Sequence, residues 1–253
     1  MVNDLICVQM SKFNHLLEKR MEERGFSVDD QQLARLGVYC QELRNWNARI
    51  NLTSLTDDLD IIDKHFIDSL LLLRYENLKR GIRVADVGTG AGFPGLPIKI
   101  YRPDIQLSLV ESIGKKARFL EHIVAELELE NVDVINDRAE VVARSPEHRE
   151  QYNLVISRCV ARLPTLAEYC LPLVLVGGKF IAYKGNEAGV EVTEAKTAIE
   201  KLGGRFNRLE SDTGKQCIAP IDEGNRVLIF IEKVKETPDI YPRRIGVPKK
   251  RPL

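Results

Sequence analysis

The 253-residue chain has only five cysteines, and nothing in their spacing makes them a set. Cys7, Cys40, Cys159, Cys170 and Cys217 are odd in number, widely scattered and form no C-x-x-C pair. That spacing excludes a disulfide framework and a thiolate zinc site. It reads as reduced thiols in a cytoplasmic protein, each a small buried hydrophobe, with no metal expected. Long apolar runs are missing too. The longest, Leu70 to Leu73 and Leu171 to Gly178, fall far short of a membrane span, and MVNDLICVQMSKFNHLL lacks the basic flank and apolar core of a secretory signal. Neither charge is in excess, since 37 basic residues face 37 acidic ones. Any surface for a polyanion must therefore be local. Hydrophobic residues at 44% and charged residues at 29% exclude a disordered or collagen-like chain and allow one large domain with an appendage.

What the sequence does have is a change of period near residue 80. Residues 1–80 carry helical periodicity and almost no strand signal. Ser27 with Asp30 has the spacing of a capping box opening the helix that contains Trp46, and Thr56 can cap TDDLDIIDKHFIDSLLLLRYENLK. Trp46, the lone tryptophan, is expected as a core anchor of this helical appendage. From Ile82 onward, short β-rich runs alternate with amphipathic segments, the signature of an α/β chain with a wound parallel sheet. Strands are predicted at 82–87, 105–111, 132–136, 152–157, 179–184, 204–210 and 226–232, and helices at 95–102, 115–128, 139–144, 164–176 and 187–202. No helix separates the last two strands. They are expected to pair antiparallel at one end of the sheet, through a connection containing Thr213, Gly214 and Pro220 to Gly224. The chain thus divides into a helical appendage (1–80), a sheet domain (81–235) and a basic segment (236–253). In that last segment Arg243, Arg244, Lys249, Lys250 and Arg251 meet no acid between Tyr241 and Leu253, and prolines oppose regular structure. It reads either as a solvated tail or as a phosphate contact.

The segment VADVGTGAGFPGLPIKI, Val84 to Ile100, runs strand, turn, helix. Its glycines let backbone approach a bulky ligand where a Cβ would collide. Two registers fit. Gly88, Gly90 and Gly92 give the G-x-G-x-G of S-adenosylmethionine enzymes, whereas Gly90, Gly92 and Gly95 give the G-x-G-x-x-G of dinucleotide binders. Glu111, at the end of the next strand, suits ribose hydroxyls in both. Asp86 favours the methyl donor, because a carboxylate can meet the cationic amino group that a pyrophosphate lacks. Asn136 to Glu140 follow the third strand, where an adenine edge would lie. The rival reading is an NAD(P)-dependent oxidoreductase, but the Tyr75 to Lys79 spacing precedes the glycine turn, the wrong order for a short-chain reductase.

The segments NARINLTSLTDDLDIIDKHFIDSL, VADVGTGAGFPGLPIKI, LVESIGKKARFLEHI, NDRAE, VISRCVARL and GKFIAYKG, in this order, closely resemble the bacterial 16S ribosomal RNA guanine-N7 methyltransferases, the glucose-inhibited division protein B family. The resemblance runs from about residue 27 into YPRRIGVPKKRPL. It implies a Rossmann-like class I methyltransferase sheet, mostly parallel with an antiparallel end strand, behind an N-terminal helical appendage. It also implies S-adenosyl-L-methionine as cofactor and one guanine in the decoding region of 16S rRNA as target, presented on RNA or on the 30S subunit. Cofactor contacts are implied at Gly88, Phe93, Ala139, Glu140 and Arg158, beside Asp86, Gly90 and Glu111 from the turn itself. Phe93 stands where the family often has leucine, and Cys159 with Val160 where Ala-Phe is common.

Guanine N7 carries a free lone pair, so in-line methyl transfer needs no general base, and positioning and electrostatics can supply the rate. No catalytic residue is expected. Arg158 and Lys184, both predicted at carboxyl ends of strands, are candidates for holding guanine or phosphate, with Arg243 and Arg244 as further RNA candidates. Lys115, Lys116 and Arg118 form either an RNA contact or a solvated helix face. His65 is read as structural, between appendage and sheet, and Cys159 is discounted as a nucleophile.

Overall fold

The computed structural model describes backbone for residues 2–211 and 226–253 and side chains from residue 11 onward. Helices α1 (Val2–Glu23) and α2 (Asp30–Ile50) come first, followed by α3 (Asp58–Ile61), a π-helix (Ile62–Ile67), α4 (Asp68–Leu70) and a 3-10 turn (Leu71–Arg74). The expected caps are each displaced. Asp29, not Ser27, caps α2, accepting from Gln32 N at 2.7 Å while Gln32 Oε1 accepts from Asp29 N at 3.0 Å. Asp57, not Thr56, caps α3 through Leu59 N and Asp60 N. A carboxylate both accepts these bonds and complements the positive helix end, so it outcompetes a nearby hydroxyl.

The sheet domain then alternates β1 (Arg83–Val87), α5 (Gly95–Tyr101), β2 (Gln106–Val110), α6 (Gly114–Glu126), β3 (Val132–Ile135), α7 (Ala139–Val142), β4 (Tyr152–Arg158), α8 (Leu163–Cys170), β5 (Val174–Lys184), α9 (Ala188–Lys201), β6 (Gly204–Ser211) and β7 (Val227–Lys233), with a one-turn α10 (Val247–Lys250) in the last segment. The sequence extended the helix before β5 to residue 176. Instead Pro172 sits in a 3-10 turn and the β-branched Val174 opens a long strand.

Strand order is β3-β2-β1-β4-β5-β7-β6, parallel except for β7, which runs antiparallel to both its neighbours. The last two strands therefore pair as expected, while the residues named for their connection lie outside the described residues. Alternate side chains feed two cores: Val84, Leu154, Ile156, Ile181 and Tyr183 face the layer of α1, α2, α5 and α6, whereas Ala85, Val87, Val155, Phe180 and Ala182 face α8 and α9. Burial on both faces explains why these strands read as nearly continuous apolar runs. The appendage shares the first core, with Leu17, Met21, Tyr39 and Leu43 fully buried, and Trp46 packs against it edge-on to Phe119 at 5.6 Å.

The basic segment is not a solvated tail. Thr237 and Pro248 are buried, Arg149 donates to the carbonyls of Thr237 and Tyr241, and Arg243 pairs with buried Glu168. Pro248 occupies the first turn of α10, the helical position that tolerates proline. Of the cysteines with described side chains, Cys40 and Cys170 are buried as expected and Cys159 is exposed.

Candidate active site

The strand order reverses between β1 and β4, and a cleft of about 1060 Å³ opens where β1, β4 and β5 end. Its floor is the glycine turn. Gly88, Gly90 and Gly92 have φ of 70°, 63° and 98°, a region costly for other residues. Gly92 is closed in, since a Cβ there would meet Leu96 and the Tyr39 hydroxyl at 2.4 and 2.6 Å, whereas a Cβ on Gly90 would meet open space. That gap beside the turn is a cradle of the kind an adenosyl group can fill.

Asp86 and Glu111 brace this turn from behind. Asp86 is fully buried, and its Oδ2 accepts from Thr89 Oγ1 at 2.6 Å and Gly95 N at 2.8 Å. Burial pushes its carboxyl up to about 6, against the lowering by those two bonds and by Arg158. Its Oδ1 has no partner among the described residues. Glu111 accepts from Gly90 N at 3.0 Å and Ile113 N at 2.7 Å. The sequence assigned both acids to the ligand directly; here both carboxylates are spent largely on the backbone that forms the cradle.

One wall of the cleft is an aromatic and cationic stack. Phe93 lies between His65 (centroids 4.3 Å apart, planes at 11°) and Tyr39 (5.2 Å, 17°), with the Arg158 guanidinium 5.3 Å from its ring. Arg158 donates to Asp68 Oδ2 at 2.6 Å, to the Lys64 carbonyl at 3.0 Å and to His65 Nδ1 at 3.3 Å. Because a guanidinium only donates, Nδ1 is the acceptor and Nε2 carries the ring proton to Thr53 Oγ1, 2.8 Å away. Burial, reinforced by Arg158, lowers the imidazole pKa to about 4, so the ring is neutral. His65 does bridge appendage and sheet. The π-helix makes this possible, because its extra residue per turn places Lys64, His65 and Asp68 together on Arg158.

A family model described as rRNA small subunit methyltransferase G matches residues 32–218. The chain belongs to this family. The similarly named protein of Roseiflexus castenholzii is 47% identical over 90% of this chain and 95% of its own length, and that of Halalkalibacterium halodurans is 45% identical over 93% and 97%. Two solved structures share the fold: M. jannaschii TYW2 in complex with AdoMet (TM-score 0.54, 17% identity, covering 74% of this chain and 80% of that one), and a SAM-dependent O-methyltransferase from Thermotoga maritima (TM-score 0.52, 14% identity, 78% and 72%). The resemblance in the sequence segments thus names the right family. The protein is an S-adenosylmethionine-dependent methyltransferase, and the oxidoreductase register of the turn is set aside.

The methyltransferase's remaining candidate residues are scattered. Ala139 and Glu140 open α7 after β3, beside the Glu111 strand end to which Asn136 is tied at 2.8 Å. Glu140 is buried and accepts from Gly246 N at 2.9 Å. Lys184 does not reach into the cleft, because its Nζ is held by the Ala161 carbonyl at 2.6 Å and Glu191 Oε2 at 2.7 Å. Arg243 is likewise occupied by Glu168, while Arg244 is exposed, and neither lines the cleft. Lys116 of the basic trio does line it. Asp68 and Arg226 went unnoticed in the sequence. Asp68 holds Arg158 on one oxygen and Arg226 on the other, each at 2.6 Å, a three-body arrangement whose members are too far apart in sequence to give a local signal. Among the described residues, no helix is long and apolar enough to cross a membrane.

Proposed function

We propose that the protein transfers methyl from S-adenosylmethionine to N7 of one guanine in the decoding region of 16S rRNA. The observation that carries this reading is the state of the acids in the cleft. Among the described residues, each carboxylate lining it is held in an ion pair: Asp63 by Arg20, Asp68 by Arg158 and Arg226, Glu187 by Arg162 and Glu191 by Lys184. His65 has both ring nitrogens engaged. The acids and the imidazole lining the cleft are therefore all engaged, which suits an acceptor nitrogen with its own lone pair and no proton to lose. When bound, S-adenosylmethionine supplies the electrophilic methyl.

In this reading Gly88, Gly90 and Phe93 hold the cofactor from the turn, Ala139 and Glu140 from the adenine side, and Arg158 from β4. Asp86 and Glu111 shape the turn, and the unpartnered Asp86 Oδ1 leaves an acceptor for a cationic group. Arg158 is positioned at the junction of cofactor and acceptor, with its charge turned partly to Asp68.

The test is to incubate the protein with methyl-labelled S-adenosylmethionine and either small ribosomal subunits or naked 16S rRNA from cells lacking the gene, then identify the labelled nucleoside. Label in 7-methylguanosine at one site is expected, and the better of the two substrates shows the form in which the RNA is presented. Label in another nucleoside overturns the assignment of target atom.

A further inference from the structure

The last segment of the chain is anchored far more firmly than a basic, proline-rich sequence suggests, and its anchor leads to the adenine side of the cofactor site. The Arg243 guanidinium meets both oxygens of Glu168 on α8, Nη2 to Oε2 at 2.6 Å and Nε to Oε1 at 2.9 Å, and the Arg243 backbone N adds a third bond at 2.7 Å. The Glu168 side chain is completely buried. Three residues on, Gly246 N donates to Glu140 Oε1 at 2.9 Å, and Thr165, again on α8, donates to the Pro248 carbonyl. Arg243 Nη2 also donates to the Arg251 carbonyl at 2.7 Å, closing the segment on itself. The result is a clip between α8 and the first turn of α7.

Helix α7 is only four residues long and is held to the second core through Val142, while the preceding β3 is half-buried and pairs on one side alone. The clip adds a polar tie to this short stretch from outside the sheet, joining the Glu140 carboxylate to Gly246.

We infer that Arg243, Glu168 and Gly246 are positioning residues for the cofactor: through Glu140 they fix the Ala139–Glu140 backbone against the adenine end of S-adenosylmethionine. This rests on the proposed function, in which the cofactor lies at Ala139 and Glu140. It also reassigns Arg243 from RNA contact to cofactor site, since a charge neutralised by a buried carboxylate has little left for a phosphate.

The test is titration calorimetry with S-adenosylmethionine and S-adenosylhomocysteine, alongside steady-state kinetics on rRNA. Arg243→Met alone strands the buried Glu168, so the clip is opened with Arg243→Met/Glu168→Met, and thermal melting confirms that the pair folds. This double variant and Glu140→Ala are each expected to bind the cofactor about ten-fold more weakly, the scale of one lost charge-assisted hydrogen bond. For the double variant, KM for rRNA and kcat at saturating cofactor stay within about two-fold on the same scale. Combining all three substitutions adds no further loss, because the clip acts only through Glu140, and Glu140→Gln, which keeps the acceptor oxygen, recovers most of the affinity lost in Glu140→Ala. Additive losses overturn the inference, as does a raised KM for rRNA with cofactor binding intact. If the parent protein binds S-adenosylmethionine and the variants match it, only the clip is refuted. If the parent does not bind it, the proposed function fails as well.

Discussion

The Arg158 guanidinium lies 2.6 Å from the Asp68 carboxylate, joining the end of β4 to the start of α4, 90 residues earlier in the chain. Both side chains are under one-tenth exposed, and Asp68 also holds Arg226. Removing one member of a buried pair strands the other, at a cost of about 3 to 5 kcal/mol. Asp68→Asn is therefore expected to lower the unfolding free energy by about 3 kcal/mol in urea titrations. Activity falls with it, because Arg158 loses the contact that holds it over Phe93. Asp60→Asn, which breaks the exposed pair with Lys64, is the comparison and should shift stability by no more than about 0.5 kcal/mol. Equal effects from the two would show that the Asp68 network is not a unit.

The sheet and its ligand turn are legible in the sequence because their determinants are local. Doubly buried strands such as VLIFI need apolar residues at successive positions, and the turn at Gly88 to Gly92 needs residues that tolerate positive φ. Asp68 is different. Nothing within four residues of it marks a partner at Arg158 or Arg226, and no residue pattern in the sequence marks the π-helix that precedes it. The basic segment misleads for the same reason, since Arg243 reads as a free charge until Glu168 is folded beside it.

His65 and Asp86 predict opposite pH responses. The His65 pKa is about 4 in the folded protein against an ordinary 6.5, so below pH 6.5 the unfolded chain takes up a proton that the native state refuses. Its contribution to stability is present above pH 6.5 and is lost as pH falls toward 4. Asp86 is held at about 6 against 3.8, so its contribution is present below about 3.8 and is lost as pH rises through 6. In urea titrations from pH 4.5 to 8, His65→Gln is expected to differ most from the parent above pH 6.5 and least at pH 4.5. Asp86→Asn should gain on the parent as pH rises from 4.5 to about 6 and hold that gain above it. A His65 ring signal that titrates near 6.5 in NMR spectra would remove the basis for the first expectation.

Two glycines of the turn should separate folding from ligand binding. Gly92→Ala drives a methyl into Leu96 and the Tyr39 hydroxyl, in addition to the strain of φ 98°, and overpacking of this kind costs about 1 to 3 kcal/mol. Gly90→Ala meets no neighbour and bears only the left-handed backbone penalty of about 1 to 2 kcal/mol, but its methyl stands in the cradle. Melting temperature is expected to drop more for Gly92→Ala. The loss of S-adenosylhomocysteine affinity, measured by calorimetry on folded protein, is expected to be the larger for Gly90→Ala. The reverse ranking would place the cofactor away from Gly90.

Lys184 tests the boundary between scaffold and RNA surface. Its ammonium is shared by the Ala161 carbonyl and Glu191, and Glu191 in turn accepts from Leu163 N at 2.6 Å, tying the end of β5 to the starts of α8 and α9. Lys184→Met leaves the buried carboxylate uncompensated and is expected to destabilise by about 3 kcal/mol. Glu191→Gln in the same chain restores part of that loss, because a neutral amide still accepts from Leu163. If Lys184 only holds the scaffold, KM for rRNA and its dependence on salt are those of the parent in every variant that remains folded. A contact to phosphate gives a different signature, a KM that rises uniformly with the salt slope reduced by about one. That pattern, with an unchanged melting temperature, would return Lys184 to the RNA interface.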